Sequence, residues 1–141
     1  MKRITHALLI LAALFGLIQS AYAATLSVQT VTFAGLNYAL GSATTTDAVT
    51  NDGRTFLLFS NANASSRTLT IAANDATRPG FGTIATPETT VTLPGSGTNG
   101  GVAVVGPFPA ERFNDGTGKL NYTLDVATGM SVAAVKLTQY Q

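Results

Sequence analysis

The chain has 141 residues, with eight Lys and Arg against seven Asp and Glu, one His, and neither Cys nor Trp. Charged residues make up 11% and apolar residues 45%, which excludes a disordered polyelectrolyte. The lack of Cys excludes a disulfide framework, a thiol nucleophile and an iron–sulfur cluster, and the length allows one domain.

The first element in chain order is an address. Lys2 and Arg3 form a short positive region, residues 7–18 (ALLILAALFGLI) an apolar run, and Ala21-Tyr22-Ala23 a small-x-small triplet. This order predicts a secretory signal peptide over residues 1–23, cleaved after Ala23, and a domain over residues 24–141. The run is shorter than the roughly 20 residues of a spanning helix. No Cys follows it, so it is not a lipoprotein anchor. The expected location is exported: extracellular, cell surface or periplasm, with no membrane association after cleavage.

Processing changes the chemistry on offer. The remaining 118 residues lose Lys2, Arg3 and His6, leaving six basic against seven acidic side chains. No basic patch suggests nucleic acid, and no Lys/Arg run suggests an anionic membrane. Without His the processed chain lacks the usual general base and the commonest zinc ligand. Ser-His-Asp and Cys-His chemistry are thereby excluded. Seven acids remain for carboxylate-pair hydrolysis: Asp47, Asp52, Asp75, Glu88, Glu111, Asp115 and Asp125. Most sit in turn-like contexts, where a solvated turn-former is the ordinary explanation. The expectation is a non-enzymatic protein with no cofactor and no metal.

The body reads as short strands. Threonine, β-branched and suited to an exposed strand face, accounts for 21 of the processed residues. Strands are predicted at residues 26–33 (LSVQTVTF), 54–60 (RTFLLFS), 67–72 (RTLTIA), 89–93 (TTVTL), 101–105 (GVAVV), 120–126 (LNYTLDV) and 130–137 (MSVAAVKL), with a weak one at 81–85. In 67–72, Leu69 and Ile71 alternate with Thr68 and Thr70; in 120–126, Leu120, Tyr122, Leu124 and Val126 share one face. The middle of 54–60 is apolar throughout, as in a strand buried on both faces. The expected core is Phe33, Phe56, Leu57, Leu58, Phe59, Leu69, Ile71, Val91, Leu93, Val102, Val104, Leu120, Tyr122, Leu124, Val132 and Val135.

Turn signals separate the runs: Asn51-Asp52-Gly53, Asn61-Ala62-Asn63, Arg78-Pro79-Gly80, Pro94-Gly95-Ser96-Gly97 and Asn114-Asp115-Gly116. No long 3.6-residue apolar repeat occurs. The pattern predicts an all-β fold: a single antiparallel β-sandwich, jelly-roll-like, of seven to eight short strands.

Three motifs are declined. Residues 95–100 spell G-x-G-x-x-G, but a strand-like run follows instead of the helix that would receive a pyrophosphate, so the loop reads as a hairpin connection. The two Asn-Asp-Gly segments lack the six to eight oxygens of a calcium site and read as turns. Asn63-Ala64-Ser65 and Asn121-Tyr122-Thr123 are treated as chance sequon matches.

The most distinctive segment is residues 106–113 (GPFPAERF). Its two prolines exclude a central strand. Pro107, Phe108, Pro109, Arg112 and Phe113 are the candidate partner-contact loop, because preordered aromatics lose little entropy on binding. The competing reading is a crossover that caps the core.

Residues 51–57 (NDGRTFL), 61–70 (NANASSRTLT), 106–115 (GPFPAERFND) and 131–137 (SVAAVKL) together resemble a poorly characterised family of small proteins encoded among tailed-phage structural genes. The resemblance spans nearly all of the processed chain, in the same order. It implies a compact β-sandwich with a virion-structural role, such as capsid decoration or a head–tail component, and it supplies no catalytic residues. The secretory signal added here suggests a relative exported to the cell exterior. The expected function is therefore a secreted, non-enzymatic structural or surface-assembly protein, partnered by itself or by a larger extracellular or virion-like assembly. The alternative is a carbohydrate-binding or adhesin-like module, weakened because the processed chain has no Trp and only Tyr38, Tyr122 and Tyr140 for sugar stacking.

Overall fold

The computed structural model describes residues 24–78, 82–84 and 88–138. The expected signal peptide and Tyr140 lie outside the described residues, as does part of the expected 81–85 strand. The protein is all-β. Its strands in chain order are β1 (Ala24–Leu26), β2 (Val28–Val31), β3 (Gly41–Ser42), β4 (Thr46–Thr50), β5 (Thr55–Asn61), β6 (Arg67–Ile71), β7 (Thr77–Arg78), β8 (Gly82–Thr83), β9 (Thr89–Leu93), β10 (Val102–Val105), β11 (Lys119–Leu124) and β12 (Met130–Leu137). One helical turn, α1 (Ala110–Phe113), and a 3₁₀ turn at Asn99–Gly101 interrupt them. Among the described residues no helix is long and apolar enough to cross a membrane.

Two main sheets form. The first runs β1-β4-β11-β6-β9; the second runs β10-β5-β12-β2, with β3 also on β12. The steps β4 to β5, β5 to β6, β9 to β10, β10 to β11 and β11 to β12 each carry the chain from one sheet to the other. Turn-rich residues here make arches between sheets more often than hairpins within one. The 95–100 loop is one such arch, so its reading as a hairpin connection is corrected.

The expectation of antiparallel pairing throughout is also corrected. β1 lies parallel to β4, and β2 parallel to β12. Both exceptions involve the N-terminal segment, whose partners lie far along the chain, so no tight turn dictates direction. The predicted strand at 26–33 is in fact two: the chain passes from the first sheet to the second at Ser27.

Alternation then sets the core. Along β5 the pattern is strict, with Thr55, Leu57, Phe59 and Asn61 buried and Phe56, Leu58 and Ser60 half-buried on the other side. Leu69, Ile71, Leu93, Leu120, Tyr122, Leu124 and Val49 from the first sheet meet Leu57, Phe59, Val105, Met130, Val132 and Ala134 from the second in one cluster. Phe59 and Tyr122 pack edge to face at 5.6 Å between centroids. Three expected core residues are exposed instead: Phe33, Val102 and Val104.

The two outward faces differ in chemistry. Registers Thr46↔Thr123, Thr123↔Thr70 and Thr70↔Thr90 line up four threonines across β4, β11, β6 and β9, and Thr68↔Thr92 adds a second rung. The outward face of the second sheet carries Phe56, Leu58, Val102, Val104, Ala133 and Val135.

Candidate functional site

The 106–113 segment is built from the inside. Phe108 and Phe113 are almost fully buried and meet edge to face at 5.8 Å. The Arg112 guanidinium lies 4.9 Å from the Phe113 ring centroid, in cation–π range. Gly106 has a positive φ, and a Cβ there would press on the Thr55 carbonyl and the Phe108 ring. Pro107 and Pro109 are exposed. Of the candidate partner-contact residues, the two prolines therefore reach the surface, Arg112 is half-buried, and the two phenylalanines face the core as a capping crossover requires.

Asn51 fixes this segment in place. Its amide donates to the Phe108 carbonyl (2.9 Å) and to Asn114 Oδ1 (2.7 Å), and Asn114 Nδ2 donates back to the Asn51 carbonyl (2.7 Å). From the other side, Asn74 Nδ2 donates to the Phe113 carbonyl and the Asn74 and Asp75 N–H groups to the Arg112 carbonyl. A second buried asparagine, Asn61, works at the opposite end of β5. Its Nδ2 donates to the Ser65 and Pro94 carbonyls, and its Oδ1 accepts from the N–H and the side-chain amide of Asn63. Asn63 in turn reaches the Thr128 carbonyl. The Gly95 arch is pinned alongside, where a Cβ on Gly95 would collide with the Ala64 carbonyl oxygen.

Asp115, Asp75, Asp52 and Asp47 are each held by their own surroundings. Asp115 Oδ1 accepts from the Thr117 hydroxyl and from the N–H groups of Thr117 and Lys119, while Oδ2 accepts from the Asn121 amide at 2.9 Å. The Asn121 amide, and then the Thr117 hydroxyl and the two N–H groups, hold its carboxyl well below the ordinary range. Asp75 is lowered by the hydroxyl and then the N–H of Thr77. At Asp52, partial desolvation works upward but is outweighed by the N–H and guanidinium of Arg54 and the charge of Lys136. Asp47 is buried, accepting from Tyr122 Oη (2.9 Å), Thr44 Oγ1 (2.6 Å) and the Thr44 N–H (3.1 Å). Burial, reinforced by the Asp47 bond and charge, pushes the Tyr122 phenol far up. Among the described residues no three His, Cys, Asp or Glu side chains converge as metal ligands.

One exposed stretch of the surface is apolar. Tyr38, Leu40, Val102 and Val104 are 48, 42, 56 and 68% exposed. With Leu58, Ser60 and Ala103 they border a hollow of ≈ 150 Å³ on the second sheet. The strap carrying Tyr38 and Leu40 is held down by Gln29, whose amide donates to the Ala39 carbonyl (2.9 Å) and accepts from the Ala39 N–H (2.8 Å). The sequence reading missed this band because Val102 and Val104 look like core residues by type. The available signal was the uncharged stretch from residue 89 to 110. No family model, no curated protein and no solved structure matches the chain.

Proposed function

We propose that the chain is an exported, non-enzymatic β-sandwich, jelly-roll-like in outline, that serves in a surface or virion-like assembly through contact. The observation that carries this reading is the uncharged apolar band of Tyr38, Leu40, Val102 and Val104 on an outward sheet face, the kind of surface that marks an interaction site. The polar groups support it. Asp47, Asp115, Asn51 and Asn61 spend their hydrogen bonds on positioning this protein's own backbone and side chains. The leader-like pattern of residues 1–23 supports export, and the resemblance to phage structural proteins supports assembly.

The test is expression of the full chain in a bacterial host, followed by cell fractionation and intact-mass measurement. The expected product lacks residues 1–23 and is found outside the cytoplasm in a multimeric or surface-bound form. A full-length cytoplasmic monomer overturns the reading.

A further inference from the structure

Strand β10 stands at one margin of the second sheet. One backbone edge bonds to β5 in the register Val102↔Ser60 to Val105↔Leu57, and among the described residues no strand lies on the other. Exposed edges are usually protected by an inward charge, a lysine, a proline or a bulge. β10 (VAVV) has none of these and only its four-residue length to shield it, and no charged residue occurs from 89 to 110. Its outward side chains, Val102 and Val104, are the most exposed part of the apolar band. β9, the corresponding edge of the first sheet, shows Thr90 and Thr92 instead.

We propose that β10 pairs edge to edge with β10 of a second copy of this chain, antiparallel about a two-fold axis. This rests on the assembly reading above and names its partner and its site. A free strand edge suits an extended backbone as its occupant, because that pairs the whole row of N–H and C=O groups at once in place of water. An identical copy fits for two reasons. An antiparallel pair is self-complementary about a two-fold axis. The band also has no charge to repel its own image, whereas an acidic or basic peptide would gain nothing electrostatic there. Pairing joins the two Tyr38–Leu40–Val102–Val104 bands into one continuous apolar surface.

The experiment is sedimentation equilibrium on the full chain as the expressing cell leaves it, comparing wild type, Val102→Lys, Val104→Lys and, on the outward face of the first sheet, Thr92→Lys. The expected result is a wild-type dimer, weakened about tenfold or more by either valine substitution through like-charge repulsion and lost apolar contact, and unchanged by Thr92→Lys. Hydrogen exchange at residues 102–105 should slow as wild-type concentration rises. If a valine variant fails to fold, this exchange measurement and Val104→Thr, which keeps the side-chain shape, decide the matter. A dimer indifferent to both lysines, with exchange at β10 independent of concentration, overturns the edge pairing and leaves the assembly reading standing on another surface. A wild-type monomer at every concentration also overturns the pairing. The assembly reading then survives if that monomer is captured on the cell surface or in a larger particle, and falls if it is not.

Discussion

The Tyr122 hydroxyl donates a 2.9 Å hydrogen bond to the carboxylate of Asp47 inside the core, joining neighbouring strands of the first sheet. Thr44 supplies the other two donors. Removing a donor leaves a buried carboxylate short of a partner, and removing Asp47 leaves the buried Tyr122 hydroxyl without its acceptor. Tyr122→Phe is expected to cost about 1.5–3 kcal/mol in urea-unfolding free energy, the range for a hydrogen bond to a charged group. Asp47→Ala should cost at least as much. A double-mutant cycle isolates the pair, and a coupling energy near zero would contradict the bond's importance. The phenol also sets an alkaline limit. A raised folded value means that the native state holds its proton where the unfolded chain releases it. Stability is then level below the ordinary phenol pKa of 10.0 and falls as pH rises past it. Tyr122→Phe should flatten that fall.

Asp115 sets an acid limit with the opposite sign. Its folded pKa is depressed, so its contribution is complete above the unfolded carboxylate value of 3.8 and is lost as pH falls below it. Melting temperature measured from pH 7 to pH 2 should drop in the acid range, and Asp115→Asn should show a shallower drop because it no longer titrates. Parallel curves for the two proteins would refute the assignment.

The two aromatics of the proline-bearing crossover should behave as core residues. Phe108→Ala or Phe113→Ala is expected to cost about 3–5 kcal/mol, as for other buried phenylalanines. Pro109→Ala, at the surface, should change stability by about 0.5 kcal/mol or less. Thermal denaturation distinguishes these outcomes. Equal, small effects at all three sites would place the phenylalanines outside the core.

Asn61→Ala should cost about 1–3 kcal/mol, because the Ser65 and Pro94 carbonyls lose their amide donor together. Hydrogen exchange should accelerate locally in the 62–66 and 94–101 arches. Acceleration spread evenly over the protein would mean that Asn61 is not a local staple.

Much of this architecture is legible in two-residue alternation. Leu69 and Ile71 inward with Thr68 and Thr70 outward, or Leu120, Tyr122 and Leu124 against Asn121 and Thr123, leave little freedom in which side is buried. β4 was not anticipated, because Thr46-Asp47-Ala48-Val49-Thr50 buries an aspartate where alternation calls for an apolar residue, and only Tyr122 and Thr44, distant or weak signals in sequence, make that burial affordable. The division of 26–33 at Ser27 was hidden because both halves read equally well as strand. The asparagines at 51, 61 and 114 read as turn-formers. Asn51 and Asn61 do close turns, accepting from the Gly53 and Asn63 N–H groups, while Asn114 lies in a bridge to Leu120; yet Asn51 and Asn61 also reach the carbonyls of Phe108 and Pro94, distant contacts that no local pattern encodes. The exposure of Val102 and Val104 was illegible for the converse reason: residue type reports an affinity for the interior, while the position of β10 at a sheet margin is a property of the whole topology.

The parallel pairing of β2 with β12 has a mechanical consequence. These are the second and the last of the described strands, matched from Val28↔Ala134 to Val31↔Leu137. Tension applied between the termini pulls two parallel neighbours in opposite directions along their length, so the rungs between them are loaded together instead of opening one at a time. Because residues 24–26 are also laid alongside β4, the same force must slide the leading segment out of both sheets. A chain tethered at its two ends would meet stretching with these rungs in shear.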